Sequence, residues 1–578
     1  MLAFGGHNLL LGACLAIGGL VAAQSATTYV NPSVPTGTPV PGVYTGALRP
    51  QVHFSPPAGF MNDPNGMFVD AAGVWHLYYQ YNPTGVAAGN QHWGHATSTD
   101  LYHWVNQPIA LFPPEEGVYV FSGSAVVDAD NTSGFFPNQT NGVVAVFTLA
   151  RYYDDGSAGP QTQAIAYSLD GGYSFEYYDK NPVIDSTSSQ FRDPKVFWHK
   201  PSKKWVAVIA FAQEFVVGVY TSPDLKAWTH ASNFSHHGLL GAQYECPNLV
   251  QVPVRDSVGG SVIDEEAYVM TISVQPGAPL GGSATQYFPG RFNGTHFETF
   301  DAATRLTDFG KDNYAAQFFS GLEGKDAVSI GWASNWQYAQ TVPTGPAEGW
   351  RSAMTLARRS YLTNATRIGW VLVDELVDVT PVLDIVLQQE TWDGNGSLAV
   401  DYSAVESNAI YIDVNVTGLD ASLVSGSSLF SLSFSSPVSG ETVRSGFYFG
   451  GDQPFFVDRG LVRGFDNVFF TDKFSTADVW NATAGTWRFQ GVVDRSIYEV
   501  FVDGGVHAGT FLFYPTQPLT LLSLAAADLP KGTKVSVAVW GLESAWARYE
   551  DQNGTVAGNV TGSAKRDAYE ADFKLPEV

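Results

Sequence analysis

The sequence has few charged residues: Asp, Glu, Lys and Arg make up 15% of its 578 residues, against about 25% in an average soluble protein. Coiled coils, long charged helices and disordered chains need more charge, so we exclude these classes. Positive charge is the scarcer sign, with 30 Lys and Arg against 55 Asp and Glu and a net charge of −25. Such a surface repels nucleic-acid phosphates and anionic lipid. We therefore expect no nucleic-acid partner, and the aromatic content of 14% favours a neutral partner such as a sugar.

Cysteine is also scarce, since the chain has only Cys14 and Cys246. Cys14 falls in a predicted signal peptide, so no intrachain disulfide is expected, and a chain of this length can be stable without one. Cys246 is either a catalytic thiol or a buried bystander, and the second role is the more frequent one.

Long apolar runs are limited to one segment, residues 9–23, and the first 23 residues lack Asp, Glu, Lys and Arg. We interpret 1–23 as a secretory signal peptide without the usual positive start; an uncleaved anchor is the alternative. No other run reaches the ~18 to 20 apolar residues of a membrane span. Ten N-x-S/T sequons support a secreted, N-glycosylated protein, extracellular or associated with the cell wall: Asn131, Asn138, Asn233, Asn293, Asn364, Asn395, Asn415, Asn481, Asn553 and Asn559.

Short runs of β-branched and aromatic residues, bounded by Gly, Pro, Asn or Asp, fill the chain from residue 49 and predict an all-β fold. A weak repeat links 97–104 to 221–228 by the spacing from Asp to Trp, and 167–175 is a looser third copy. Copies tens of residues apart predict a β-propeller, with three unrelated hairpin turns as the alternative.

A strict period of two begins after residue 390, as in 409–416, and predicts a β-sandwich. The predicted organisation is a signal peptide (1–23), a Pro/Thr-rich leader (24–48), the propeller (49–375), a linker with a helical turn (376–390), the sandwich (391–550) and a polar tail (551–578).

Several common motifs are missing: the sequence has no G-x-G-x-x-G, P-loop, H-E-x-x-H or G-x-S-x-G. His92, His95 and His103 cluster in sequence, but no Cys or acidic residue lies at metal-site spacing. We interpret these histidines as structural and predict neither a metal nor a cofactor.

Three acidic residues stand beside Pro or Cys at predicted strand ends: Asp63, Asp193 and Glu245. A Pro that follows an Asp fixes the local turn and keeps the preceding residue extended. One Asp-Pro pair alone is usually only a turn. Three such sites within one propeller predict carboxylates that converge on its axis.

Seven ordered segments around these residues resemble glycoside hydrolase family 32, the invertases, inulinases and fructosyltransferases, and secreted fungal invertases most of all. The segments are 61–66, 79–83, 93–96, 121–124, 190–198, 244–247 and 332–336, and 494–504 resembles the family's sandwich domain. The resemblance implies a five-bladed propeller followed by a β-sandwich, with the site in the central funnel.

By the same resemblance, Asp63 is the nucleophile, Glu245 the general acid/base and Asp193 the transition-state stabiliser, which Arg192 should help to keep ionised. Asn62, Gln80, Ser122 and Arg192 would bind fructose hydroxyls. Phe121, Trp93 and Trp336 would wall the pocket, although core packing is an equal alternative for both indoles. Gln243, Asp308 and Lys311 would meet the leaving sugar.

Three positions depart from the family pattern: Phe60 and Ala88 stand where Trp is usual, and Gln275 where related fungal invertases often have Asn. Within the family, changes at the first two positions accompany a shift toward transfer of fructose onto sugars.

The activity that the resemblance implies is hydrolysis of sucrose and short fructosides with retention of the anomeric configuration. The alternatives are a fructosyltransferase that makes kestose-type products, an exo-inulinase, an arabinan-cleaving propeller and a non-catalytic sugar-binding propeller. Relatives also make a homodimer plausible.

Overall fold

The computed structural model describes residues 40–238, 240–322, 327–365, 369–450, 455–476 and 484–546. The predicted signal peptide, most of the leader, the tail and the sequons at Asn481, Asn553 and Asn559 lie outside the described residues. Within the described ranges, no helix is long and apolar enough to cross a membrane.

The first half of the chain forms five four-stranded antiparallel groups in sequence order. The strands of the first three are β1 (Gly59–Val69), β2 (Trp75–Asn82), β3 (His92–Ser98) and β4 (Val105–Leu111); β5 (Val118–Val127), β6 (Val143–Tyr152), β7 (Ala158–Ser168) and β8 (Glu176–Tyr177); β9 (Phe191–His199), β10 (Lys204–Phe211), β11 (Val216–Ser222) and β12 (Thr229–Ser235). A 3-10 turn, Ala212–Glu214, joins β10 to β11.

The fourth group contains β13 (Tyr244–Arg255), β14 (Val262–Val274), β15 (Ala284–Phe292) and β16 (Phe297–Thr299), and the short β17 (Arg305–Leu306) also pairs with β15. The chain continues through β18 (Tyr314–Phe318), β19 (Ala327–Ala333), helix α1 (Thr344–Glu348), β20 (Trp350–Arg351), β21 (Ala353–Met354), β22 (Arg358–Ala365) and β23 (Gly369–Leu376). The fifth group is β18-β19-β22-β23, while β20 pairs with β1 and β21 with β19.

The first strands of the five groups, β1, β5, β9, β13 and β18, contact one another in cyclic order. Each group is therefore a blade whose innermost strand faces a common axis, which confirms the predicted five-bladed propeller. The sequence repeat is structural as well. Asp100, Asp170 and Asp224 each accept backbone N–H bonds in the turn between the third and fourth strands of the first three blades.

The second half is the predicted β-sandwich of two six-stranded sheets, ordered β24-β35-β26-β31-β32-β33 and β25-β34-β27-β28-β29-β30. Its strands are β24 (Leu383–Asp393), β25 (Gly396–Asp401), β26 (Ala409–Thr417), β27 (Leu429–Ser435), β28 (Thr442–Tyr448), β29 (Phe455–Asp458), β30 (Lys473–Thr476), β31 (Thr486–Asp494), β32 (Ile497–Val502), β33 (His507–Leu512), β34 (Leu521–Ala527) and β35 (Lys534–Leu542). Alternate residues of these strands fill one apolar core. The predicted linker 376–390 holds a 3-10 turn, Thr380–Val382, and the start of β24.

Buried ion pairs join the two domains. His53, which precedes β1, lies between two sandwich carboxylates, with Nδ1 2.8 Å from Asp494 Oδ2 and Nε2 3.3 Å from Glu499 Oε1. Burial opposes the charged imidazolium, but the hydrogen bonds and charges of both carboxylates outweigh it and raise the pKa of His53 to about 9.

We predict that domain docking weakens at alkaline pH because of His53. A histidine with a raised pKa stabilises the folded state fully below its unfolded value of about 6.5, and loses this contribution as pH rises through 9. The free energy of unfolding, measured by urea titration, should fall by about 3 kcal/mol over this range. His53→Gln should flatten the dependence, and an unchanged slope in this variant would contradict the assignment.

Candidate active site

Three carboxylates meet at the propeller axis, each on the first strand of a different blade: Asp63 on β1, Asp193 on β9 and Glu245 on β13. Asp63 and Asp193 are 9% and 6% exposed, and the Glu245 side chain is 13% exposed. Cys246 lies between the first two: its Sγ is 3.6 Å from Asp63 Oδ2 and 3.7 Å from Asp193 Oδ2, and its backbone N–H donates to Asp193 Oδ2 at 3.0 Å. The structure therefore brings the predicted carboxylates together.

A ring of β-bulges places these side chains. In each of the five innermost strands, two residues oppose one residue of the second strand at the same level: 62–63, 121–122, 193–194, 246–247 and 315–316. A bulge interrupts the ladder and turns a side chain away from its regular direction. It also tolerates a Pro that cannot donate to the ladder, which explains Pro194 and Pro247. Three of the bulges contain a residue with positive φ: Asp193 at 64°, Cys246 at 45° and Ala315 at 51°.

One guanidinium compensates the charge of this cluster. Arg192 donates to Glu245 Oε1 from Nη2 at 2.9 Å and from Nε at 3.2 Å, whereas its Nε lies 3.9 Å from Asp193 Oδ2. Nη1 donates to Gln161 Oε1 at 3.2 Å and to Gln190 Oε1 at 2.9 Å. Arg192 is thus fixed by two amides and directed mainly at Glu245.

Burial has the largest effect on the pKa values of Asp193 and Asp63. Burial raises the pKa of Asp193 to about 7; Arg192 opposes this shift and the Glu245 charge adds to it. As expected, Arg192 favours the ionised form of Asp193, but the effect of burial on its pKa is larger. Burial and the Glu245 charge also raise the pKa of Asp63, against the Ser122 hydrogen bond.

The Cys246 thiol is neutral in this environment. Burial and the adjacent carboxylates raise its pKa well above the ordinary value. A thiol needs a lowered pKa to act as a nucleophile. This supports the bystander interpretation over the catalytic one.

Most of the other predicted residues surround the carboxylates. Ser122 Oγ donates to Asp63 Oδ2 at 2.9 Å, and Gln243 Nε2 donates to Glu245 Oε1 at 3.3 Å. Gln80 faces the bulge that contains Asn62 and Asp63. Its buried Nε2 has no hydrogen-bond partner among the described residues. Phe121 belongs to the neighbouring bulge and is half-buried.

Comparison with known proteins agrees with this geometry. The model of the N-terminal domain of glycosyl hydrolases family 32 matches residues 53–369, and the model of the family's C-terminal domain matches 388–541. The chain belongs to glycoside hydrolase family 32. It is therefore a glycoside hydrolase, and the fold expected from the resemblance is the one the family shares.

Similar proteins cover most of the chain. An extracellular exo-inulinase of Meyerozyma guilliermondii is 40% identical over 494 residues, which are 83% of this chain and 93% of that protein. Invertase 2 of Saccharomyces cerevisiae is 39% identical over 499 residues, 81% of this chain and 90% of that one. The solved structure of the fructofuranosidase from Schwanniomyces occidentalis, complexed with fructose, has a TM-score of 0.76 at 35% identity and covers 87% of this chain and 99% of its own.

Asp308 and Lys311 were expected to meet the leaving sugar. In this family 32 enzyme they form hydrogen bonds to the sandwich instead. Both carboxylate oxygens of Asp308 accept hydrogen bonds, from Thr510, Arg358, Gly310 and Asn313. Lys311 Nζ donates to Phe469 O at 2.6 Å and to Thr471 Oγ1 at 3.2 Å. We therefore assign Asp308 and Lys311 to the domain interface.

The two predicted wall indoles differ. Trp93 is fully buried among propeller core residues, and its Nε1 donates to Phe121 O at 3.1 Å. Trp93 therefore packs in the propeller core and holds the Phe121 backbone, as the core-packing alternative for this indole predicts. Trp336 is half-buried, with ring-centroid distances of 4.8 Å to Trp332 and 6.2 Å to Phe60, and it keeps surface available to a ligand.

Sequence reasoning missed Tyr314. Its buried hydroxyl donates to Glu245 Oε2, and burial raises its pKa well above the ordinary value, so it stays a neutral donor. No motif surrounds Tyr314 in the sequence. Its place after the Asp308–Lys311 segment, at the start of the fifth blade, was the only available signal. Among the described residues, no group of three or more His, Cys, Asp or Glu is arranged to hold a metal ion.

We predict that Asp193→Asn stabilises the fold at alkaline pH. Because the pKa of Asp193 is raised to about 7, its stabilising contribution is complete below about pH 4 and is lost as pH rises through 7. Asn stays neutral and tolerates positive φ. The variant should exceed the wild type by about 4 kcal/mol in unfolding free energy at pH 8 and match it at pH 4. Asp185→Asn, at an exposed position, is the control, and equal effects of both changes would refute the account.

Proposed function

We propose that the protein is a secreted β-fructofuranosidase of the invertase type that retains anomeric configuration. It hydrolyses terminal non-reducing β-D-fructofuranosides, chiefly sucrose, through a covalent fructosyl-enzyme. The observation that carries this proposal is the convergence of three carboxylates with different partners on the propeller axis, of which Asp63 and Asp193 are buried and Glu245 is partly exposed. The names of the similar proteins, invertase, exo-inulinase and fructofuranosidase, support the substrate class.

In the first step, Asp63 attacks the anomeric carbon while Glu245 gives a proton to the leaving oxygen. Asp63 Oδ2 accepts a hydrogen bond from Ser122, which orients the carboxylate for attack. In retaining enzymes the two carboxyls lie about 5–5.5 Å apart, so no water fits between attacker and sugar. The leaving glucose carries away the proton from Glu245.

In the second step, ionised Glu245 takes a proton from water, which attacks the fructosyl ester and releases Asp63. The two displacements together retain configuration. The bonds that Glu245 accepts from Arg192 and Tyr314 suit this ionised form. Asp193 would hold sugar hydroxyls as the ring flattens toward an oxocarbenium ion, and these bonds would strengthen in the transition state.

Transfer of fructose to a sugar is the second candidate. Phe60 and Ala88 belong to one apolar cluster with Trp332, Trp336 and Tyr314. Tyr314 is the residue that donates a hydrogen bond to the acid/base Glu245. An indole is usual in the family at both positions. Its loss would change how water competes with a sugar for the fructosyl-enzyme, so we propose a transfructosylating side activity.

We further propose secretion and N-glycosylation. Of the seven sequon asparagines in the described ranges, Asn131 is half-buried and the other six are exposed, as glycan attachment requires. Homodimer formation stays a proposal from the family resemblance.

We predict that the carboxylates are individually essential. Asp63→Asn removes the nucleophile and Glu245→Gln the proton donor, and each should lower kcat/KM for sucrose by about 10³-fold or more. Glucose release measured under initial-rate conditions is the test, with circular dichroism to check folding. Activity within tenfold of wild type in either variant would sink the assignment.

We predict that transfer depends on the apolar cluster. At high sucrose, the wild type should release less free fructose than glucose and form kestose-type trisaccharides, whereas Ala88→Trp should bring the two sugars closer to equality. Ala87→Trp, on the same loop, is the matched control. Equal fructose and glucose in the wild type would remove the transferase proposal and leave hydrolysis.

A further inference from the structure

The sandwich binds a propeller segment that leads directly into the active site. This segment, residues 308–312, lies between β17 and β18. Phe309 N donates to Ala508 O at 3.0 Å, and Asp312 N donates to Thr510 O at 3.4 Å. In the reverse direction, Leu512 N donates to Asp312 Oδ2 at 2.8 Å.

These sandwich groups belong to β33, which is the outermost strand of its sheet. An edge strand presents unpaired backbone groups along one side. Segment 308–312 uses this edge much as an added strand would. The sandwich therefore fixes the segment at two backbone positions, 309 and 312, and through the Asp308 and Asp312 carboxylates.

Buried charges reinforce the attachment at both ends of the segment. Arg358 Nη2 lies 2.9 Å from Asp308 Oδ2 and 3.1 Å from Glu499 Oε2, and Arg459 Nη1 lies 2.7 Å from Asp312 Oδ2. All five side chains are 4% exposed or less. Because separation would leave a buried charge unpaired, the segment has little freedom to move.

The segment ends two residues before Tyr314, the residue that donates to Glu245 Oε2. Asp312 Oδ1 also accepts a hydrogen bond from Tyr338, so its whole carboxylate is held. Tyr314 then begins β18, whose bulge follows at 315–316. A continuous series of contacts thus runs from the sandwich edge to the acid/base carboxyl.

We propose that the sandwich domain positions the general acid/base. Asp308 and Asp312 fix the segment to β33, and Tyr314 orients the Glu245 carboxyl toward the leaving oxygen. The three are positioning residues: they act through Glu245 and do not touch the substrate. The inference rests on the proposed role of Glu245 as acid/base.

This role has a specific chemical consequence. The glucose of sucrose would leave as a sugar alkoxide, so its oxygen needs a proton, and a small misplacement of the acid slows bond cleavage. The nitrophenol of a nitrophenyl β-fructofuranoside leaves as a stabilised phenolate and needs little protonation. A variant that misplaces the acid should therefore lose more kcat/KM on sucrose than on the aryl fructoside. A variant that disturbs the structure in general should lose similar factors on both.

The experiment compares kcat/KM on sucrose and on the nitrophenyl fructoside for Asp312→Asn and Tyr314→Phe. Each should lose about tenfold or more on sucrose and stay within about threefold of wild type on the aryl substrate. Glu441→Gln is the matched control: this buried sandwich carboxylate bonds Ser439, Arg463 and Thr516, away from the segment. It should leave the ratio of the two rates unchanged. Tyr314→Phe removes one oxygen atom, so it keeps the test decisive if Asp312→Asn fails to fold.

Glu245→Gln tests the acid/base role of Glu245 separately from the positioning role of the segment and Tyr314. If it loses activity on sucrose far more than on the aryl fructoside, Glu245 is the acid. If it does so while Asp312→Asn and Tyr314→Phe affect both substrates alike, or neither, only the positioning proposal is overturned. If Glu245→Gln shows no discrimination, the proposed function and the positioning role fail together.

Discussion

The site depends on one constraint: two buried carboxyl groups, Asp63 and Asp193, and the partly exposed Glu245 lie around one guanidinium. Desolvation disfavours carboxylate charge, and it raises the pKa of Asp193 to about 7 and the pKa of Asp63 above its ordinary value. Arg192 compensates only part of the negative charge, and it contacts Glu245 more closely than Asp193. A site with this electrostatic character suits a reaction that builds positive charge on a sugar ring and needs a proton at its leaving oxygen. It also destabilises the fold at neutral pH, which other contacts must offset.

The propeller brings these groups together through a repeated local irregularity. Each innermost strand bulges at the same level, and five-fold closure turns five separate bends into one ring around the axis. The sequence marks three of these bends because a Pro follows Asp63, Asp193 and Cys246. The bends at 121–122 and 315–316 carry no Pro. Their existence follows only from strand pairing, which no short segment determines.

Local features of the sequence were therefore predictable, and contacts between distant segments were not. The blade strands, the Asp-anchored turns and the sandwich alternation depend on neighbouring residues, and the structure has them. Asp308 was expected at the sugar because of a motif resemblance. Its partner Thr510 lies 202 residues away, so nothing near Asp308 reveals that its carboxylate is already occupied. Trp93 shows a related limit, since an indole in the core and an indole on a sugar have the same sequence signature.

The central claim is that Asp63 becomes covalently bonded to fructose, and the most direct measurement is to trap that bond. Glu245→Gln lacks the base of the second step, so with a nitrophenyl β-fructofuranoside it should accumulate the intermediate. Rapid acid quench, digestion and mass spectrometry should then find one fructosyl residue on the peptide that contains Asp63. A label on Asp193, or no label during turnover of the aryl substrate, would contradict the account.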